Sequence, residues 1–255
     1  MNVERFCVII VCLILFSCEN NSKDKLTIAT AANMQFVMQE LTNSFTEKMN
    51  IECEVIVGSS GKLTAQIMQG APFDLFVSAN MTYPVDLYNN GFTKMKPKVY
   101  AFGSLVLWST SIVEELSLEM LKSDDIKHIA LANPRIAPYG ISALEVLKNE
   151  GVYDKVKDKL VYGESISQTN QFINSKVVEI GFTAKSVVLS PNARAYDNWI
   201  EMNKESYSPI EQGVVILNNR KNFEMEAFKF YKYLSSPDGA RILRKFGYTL
   251  DVSSK

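Results

Sequence analysis

Val55-Ile-Val-Gly-Ser-Ser-Gly-Lys-Leu-Thr-Ala-Gln-Ile-Met-Gln-Gly-Ala-Pro-Phe-Asp-Leu-Phe-Val-Ser-Ala-Asn80 reads as strand, small-residue turn, short helix, turn and strand. Val55 to Val57 form an apolar strand, Gly58 to Gly61 supply the turn, and Leu63 and Ile67 share one face of the helix that follows. The first amides of a helix have no partner within it, and the helix dipole adds positive charge at the same end. Ser59 and Ser60 set hydroxyls beside those amides, so the junction suits an anion. It does not suit a nucleotide loop. Gly58-Ser-Ser-Gly-Lys62 is shorter than the phosphate-loop pattern, and Leu63 stands where Ser or Thr would hold magnesium. A lone Ser-Ser-Gly is also what an ordinary capped helix start looks like.

A second junction of the same kind lies upstream. Leu26-Thr-Ile-Ala-Thr-Ala-Ala-Asn33 starts as a buried strand and ends in small residues, after which Met34, Val37, Met38, Leu41 and Phe45 follow helical spacing. Asn33 falls at the N-cap, where its side chain can bond helix amides or a ligand. Asp74 to Ala79 is a third strand, followed by a helix from about Tyr83 that Gly91 can terminate. This β-α-β-α-β order implies a parallel sheet, and both junctions then lie at the carboxyl edge, where open α/β sheets bind ligands.

Tyr100 to Trp108 reads as one long strand and Val214 to Leu217 as another, and both suit segments that cross between two lobes. Between them a second α/β unit repeats the plan. His128 to Ala132 is a strand, Asn133 to Gly140 a turn into a helix bearing Ala143, Leu144 and Leu147, Gly163 to Thr169 another turn into a helix, and Glu179 to Ala184 a strand with its turn. Taken singly, these small-polar turns look like loops. Helical faces at Met225, Phe228, Tyr231 and Leu234, then at Ile242, Leu243 and Phe246, close the chain.

The first residues stand apart from this fold. Arg5 precedes an apolar run, Phe6 to Phe16, too short to span a bilayer but suited to the core of a signal peptide. Leu15-Phe-Ser-Cys18 resembles a bacterial lipobox, which makes Cys18 the lipidated first residue of the mature chain, and Glu19 to Lys25 a tether. The expected division is a leader at 1–17, the tether at 18–25, a first lobe at 26–102 and 214–255, and a second lobe at 103–213. Cys7 and Cys12 leave with the leader, so the body keeps only Cys53 and has no intramolecular disulfide. His128 is the single histidine, which excludes a metal site built on several. A formal net charge of -1 gives no global field to recruit nucleic acid or anionic lipid, and 47% hydrophobic residues in 255 support sizeable cores.

Over essentially all of the mature body the chain resembles the extracytoplasmic molybdate-binding proteins of ABC-type uptake systems. The resemblance rests on Ala29-Thr-Ala-Ala-Asn-Met34, Ser59-Ser-Gly-Lys-Leu63, Gly70-Ala-Pro-Phe-Asp-Leu-Phe-Val-Ser-Ala79, Asn133-Pro-Arg-Ile-Ala-Pro-Tyr-Gly140 and Gly181-Phe-Thr-Ala184, in family order and spacing. The Gly-Ala-Pro-x-Asp-Leu-Phe segment is the most specific of these. The resemblance implies an α/β, two-lobed periplasmic-binding-protein fold of type II, each lobe a mainly parallel sheet flanked by helices, acting as a monomer without cofactor and serving an ABC permease. It also implies a tetrahedral oxyanion, molybdate or tungstate, held by neutral hydroxyls and amides. Residue by residue, the ligands fall at Asn33 and Ser60 in the first lobe and at Tyr139 and Ile166 in the second. Where some members carry a ligand Tyr, this chain has Ala184, and the Tyr139 hydroxyl is expected to stand in for it.

Two other readings compete. A binding protein for sulfate or phosphate would use the same architecture. An enzyme on the same scaffold would need an acid–base pair or nucleophile in the cleft, for which the turns offer Glu164, Lys62 and Arg135 but no His or Cys.

Overall fold

The computed structural model describes residues 25–191, 198–218 and 223–250. The leader, Cys18 and all of the tether except Lys25 lie outside the described residues. Among the described residues no helix is long and apolar enough to cross a membrane.

The first lobe begins with β1 (Leu26–Ala31), a short 3-10 turn at Ala32–Met34, α1 (Gln35–Met49), β2 (Cys53–Gly58), α2 (Ser60–Met68), β3 (Leu75–Ser78), α3 (Thr82–Asn89) and β4 (Lys98–Gly103). The second contains β5 (Leu105–Ser109), β6 (Ile129–Ala132), α4 (Pro138–Asn149), α5 (Tyr153–Val156), β7 (Leu160–Gly163), α6 (Ile166–Asn174), β8 (Ile180–Ala184), α7 (Lys185–Val188) and β9 (Asn198–Glu201). The chain then returns through β10 (Ile210–Ile216), α8 (Glu224–Tyr233) and α9 (Pro237–Lys245) to the first lobe.

Each lobe holds one five-stranded sheet, ordered β2-β1-β3-β10-β4 in the first and β7-β6-β8-β5-β9 in the second. The strands that open helices run parallel: β1 with β2 and β3, and β6 with β7 and β8. The strands next to the crossings join antiparallel, β10 against β3 and β4, and β5 against β8 and β9, because they enter the sheets from the opposite direction.

Strand periodicity explains why the first sheet is covered on both faces. Leu26 and Ile28 of β1, Leu75 and Val77 of β3, and Val214 and Ile216 of β10 pack under α1, α8 and α9. Ala29, Phe76 and Val215, one residue out of step, pack under α2 and α3 with Leu63, Ile67 and Leu87. Phe45 of α1 meets the edge of Phe230 of α8 at 5.0 Å between centroids, closing that layer. Gly91 has φ +77 just past α3, the left-handed turn that ends a helix and that glycine adopts without strain.

Two expected boundaries move. The stretch from Tyr100 to Trp108 is two strands, not one, split at Ser104 where the chain passes between lobes. The returning strand begins at Ile210 rather than Val214, so this crossing lies before Ile210, and Glu211, Gln212 and Gly213 pair with β4 in the first sheet. The polar pair Glu211-Gln212 and a glycine look like a loop in the sequence, yet Gln212 is wholly buried beside the crossing. The edge strand β9, half-exposed and opened by Asn198, carries too little alternation to be seen in the sequence.

Candidate anion-binding site

Four helix starts meet where the lobes face each other. At α2, Ser59 is extended in the N-cap position (φ -71, ψ 148), but its side chain makes no cap bond. The Ser59 hydroxyl is buried without a partner among the described residues. Ser60, 1% exposed, accepts the Ala79 amide through Oγ at 3.1 Å, which orients the hydroxyl and leaves its own hydrogen free to donate. The next amide, Gly61, donates to the Ile136 carbonyl of the other lobe at 2.9 Å.

At α4 the donors are selected by subtraction. Pro138 has no N–H, and the Gly140 amide is taken by the Ala137 carbonyl at 2.9 Å, so Tyr139 is left with the first amide that has no intrahelical acceptor. Gly140 itself is required there, because a Cβ would lie 2.0 Å from the Ala132 carbonyl oxygen at the end of β6. At α6, Ser165 caps the Gln168 amide and Gln168 returns its side-chain oxygen to the Glu164 amide at 2.6 Å. Ile166, buried at 4% exposure, presents the first amide of that helix.

Asn33 sits in the 3-10 turn after β1 and is buried. Both hydrogens of its side-chain amide are engaged, one by Gln212 Oε1 and one by the Tyr248 hydroxyl, each at 2.8 Å. Its carbonyl accepts the Ser186 hydroxyl from α7 at 2.7 Å. The Asn33 side chain is thus a strut in this arrangement.

The Tyr139 hydroxyl, expected to replace the one absent at Ala184, points to the crossing. It lies beside the Tyr248 hydroxyl, and a Cβ on Gly103 would fall 2.1 Å from it. Ala184 ends β8, fully buried, and caps α7. Burial, and then the neighbouring tyrosines, hold the Tyr139 phenol well above its ordinary pKa, and burial pushes Tyr248 up to about 12. Both are neutral hydroxyls at any physiological pH.

The cations stay outside. Lys62 pairs with Glu164 across the cleft at 2.7 Å with both side chains about half exposed, which also leaves Glu164 a solvated ion-pair partner rather than a desolvated base. Arg135 is exposed, and its amide bonds the Asn133 side chain at 3.0 Å. Cys53 opens β2, at the opposite end of that strand from the Ser59-Ser60 turn. Burial raises its thiol to about 12, against a bond to Thr46, so it is an inert, partly buried residue.

Asn33 is linked to Ser60 through Gln212 and Ala79, and the turn before α4 reaches Gly61 beside Ser60 through the Ile136 carbonyl, while Ala184 lies two residues before Ser186. Gln212, Ser186 and Tyr248 are each bonded to Asn33, and the last two to each other, and no local sequence pattern marks them. Gln212 gives no such signal, since its neighbours Glu211 and Gly213 make the stretch look like a loop.

The chain as a whole is similar to known proteins. Residues 26–249 match the family model described as bacterial extracellular solute-binding protein. The chain is 35% identical over 225 residues to the molybdate-binding protein ModA of Rhodobacter capsulatus, covering 88% of this chain and 87% of that one. It is 29% identical over 238 residues to YvgL of Bacillus subtilis, a putative ABC transporter substrate-binding lipoprotein, covering 92% and 90%. The solved periplasmic molybdate-binding protein of Azotobacter vinelandii superposes with a TM-score of 0.83 at 30% identity, covering 89% of this chain and all of that one. This chain belongs to the bacterial extracellular solute-binding protein family, within which it aligns with molybdate-binding proteins over nearly its whole length.

Proposed function

We propose that the protein binds molybdate, and tungstate with it, outside the cytoplasmic membrane and hands the anion to an ABC permease. The observation that carries this reading is the gathering of neutral donors from both lobes, the Ser60 hydroxyl and the open amides of Tyr139 and Ile166, while every nearby cation is paired or solvated. Fixed amides deliver partial positive charge without the cost of burying a mobile ammonium group. Several bonds to a dianion, each of about 1.5–3 kcal/mol, offset the loss of its water. The relatives from Rhodobacter and Azotobacter, both molybdate-binding by name, support the choice of anion. The site binds its anion without chemical turnover, as a monomer and without cofactor.

Calorimetric titration of molybdate into protein that starts at Lys25 should give saturable one-to-one binding with the anion recovered unchanged. No heat of binding at micromolar protein, or release of a transformed product, would overturn the reading.

Attachment to the membrane through lipid on Cys18 is part of the same proposal, supported by the Leu-Phe-Ser-Cys18 motif and by the lipoprotein relative in Bacillus subtilis. Acyl chains each add membrane affinity per buried methylene. Cys18→Ser should move the protein from the membrane fraction to the soluble one. Retention in salt-washed membranes would contradict the anchor.

A further inference from the structure

Tyr248 follows α9, and its place is set at the crossing: Thr249 forms an antiparallel bridge with Phe102, with bonds of 2.7 and 3.0 Å, one residue before Gly103. The ring is buried, and the hydroxyl is where the two lobes touch. From the first lobe it receives Asn33 Nδ2 at 2.8 Å; from the second it lies 3.2 Å from Ser186 Oγ, with the Tyr139 hydroxyl beside it. Ser186 in turn donates to the Asn33 carbonyl. The chain of bonds continues from Asn33 to Gln212, from Gln212 Nε2 to the Ala79 carbonyl at 3.2 Å, and from the Ala79 amide to Ser60 Oγ. One phenol is therefore linked to the second lobe on one side and, through three residues, to the anion-binding serine on the other.

We propose that Tyr248 is a positioning residue for the oxyanion site, joining the lobes through its hydroxyl and holding Asn33 and Ser60 in their binding geometry. This rests on the functional reading above. It gives the hydroxyl that Ala184 lacks a counterpart from the C-terminal segment of the first lobe. A network in which each member is satisfied has one arrangement, so removing one hydroxyl frees an Asn33 hydrogen, unties Ser186 and loosens both lobes at once.

Tyr248→Phe keeps the buried ring and deletes only the hydroxyl. Molybdate affinity should fall by about tenfold or more, the scale of one lost bond in such a site, and the ligand-free protein should unfold at a lower midpoint, because an Asn33 hydrogen is left buried without its acceptor. Small-angle scattering supplies a reading that a purely structural residue would not move: the variant should have a larger radius of gyration than the wild type, both ligand-free and at saturating molybdate. Unchanged affinity with superimposable profiles would overturn the assignment. Should Tyr248→Phe fail to fold, Ser186→Ala removes the facing hydroxyl and must show the same two effects. If the wild type itself takes no molybdate, the functional reading falls, and the ligand-free scattering pair decides Tyr248 alone, identical profiles refuting it.

Discussion

Molybdate and tungstate should saturate the protein at concentrations where sulfate and phosphate leave it empty. The cleft offers donors almost exclusively, and they come from two lobes already in contact through Gly61 and Ile136, Ser186 and Asn33, and Ser167 and Gln35. A donor set on two facing walls selects by size. Sulfate is the smaller tetrahedron, and its oxygens cannot reach both walls at about 2.7–3.0 Å together. Each donor left buried without an acceptor costs about 1–3 kcal/mol, so two misses amount to at least about thirtyfold in affinity. Phosphate fails by protonation, since its remaining proton near neutrality places a donor against donors. The same chemistry predicts a flat pH profile. No histidine stands at the site, the single His128 lying beside Glu179 with its side chain 55% exposed, and the phenols of Tyr139 and Tyr248 are raised by burial. Molybdate affinity should therefore change little between about pH 6 and 8, where an imidazole contact would make it change steeply. Parallel titrations of the four anions over that range test both statements, and sulfate or phosphate binding as tightly as molybdate would refute the donor-only site.

Ser60→Ala should weaken molybdate binding by about 1.5–3 kcal/mol, the cost of one hydrogen bond to a charged group. Two effects contribute, and they separate experimentally. The hydroxyl hydrogen, free in the ligand-free protein, is lost to the anion. The Ala79 amide also loses its acceptor at 3.1 Å, which lowers folding stability by about 1–3 kcal/mol as a buried donor goes unsatisfied. Denaturant unfolding of the ligand-free variant reads the second, and calorimetry under conditions where both proteins are folded reads the first. An affinity equal to the wild type would remove Ser60 from the site, whatever happened to stability.

Much of this architecture could be read from the sequence because apolar periodicity and turn composition act locally. The strand, turn and helix from Val55 to Ile67, the helix end at Gly91 and the helix bearing Ala143, Leu144 and Leu147 each follow from residues within a few positions of one another. The direction of a side chain over a long sequence distance is a different matter. Asn33 looks like a donor in the sequence, but Gln212 and Tyr248, 179 and 215 residues away, engage both of its amide hydrogens. Tyr139 looks like a compensating hydroxyl, but the helix that offers its amide to the cleft turns its ring onto Gly103. Both outcomes depend on how two lobes close on each other, a relation that no local pattern encodes.

In the proposed complex, neutral donors from two lobes hold the anion between them. A crystal structure of the molybdate complex tests this most directly. The expected structure has the Ser60 hydroxyl from one lobe and the Tyr139 and Ile166 amides from the other within about 2.7–3.0 Å of the anion oxygens, with no lysine or arginine nitrogen in contact. An anion held by Lys62 or Arg135, or by one lobe alone, would contradict it.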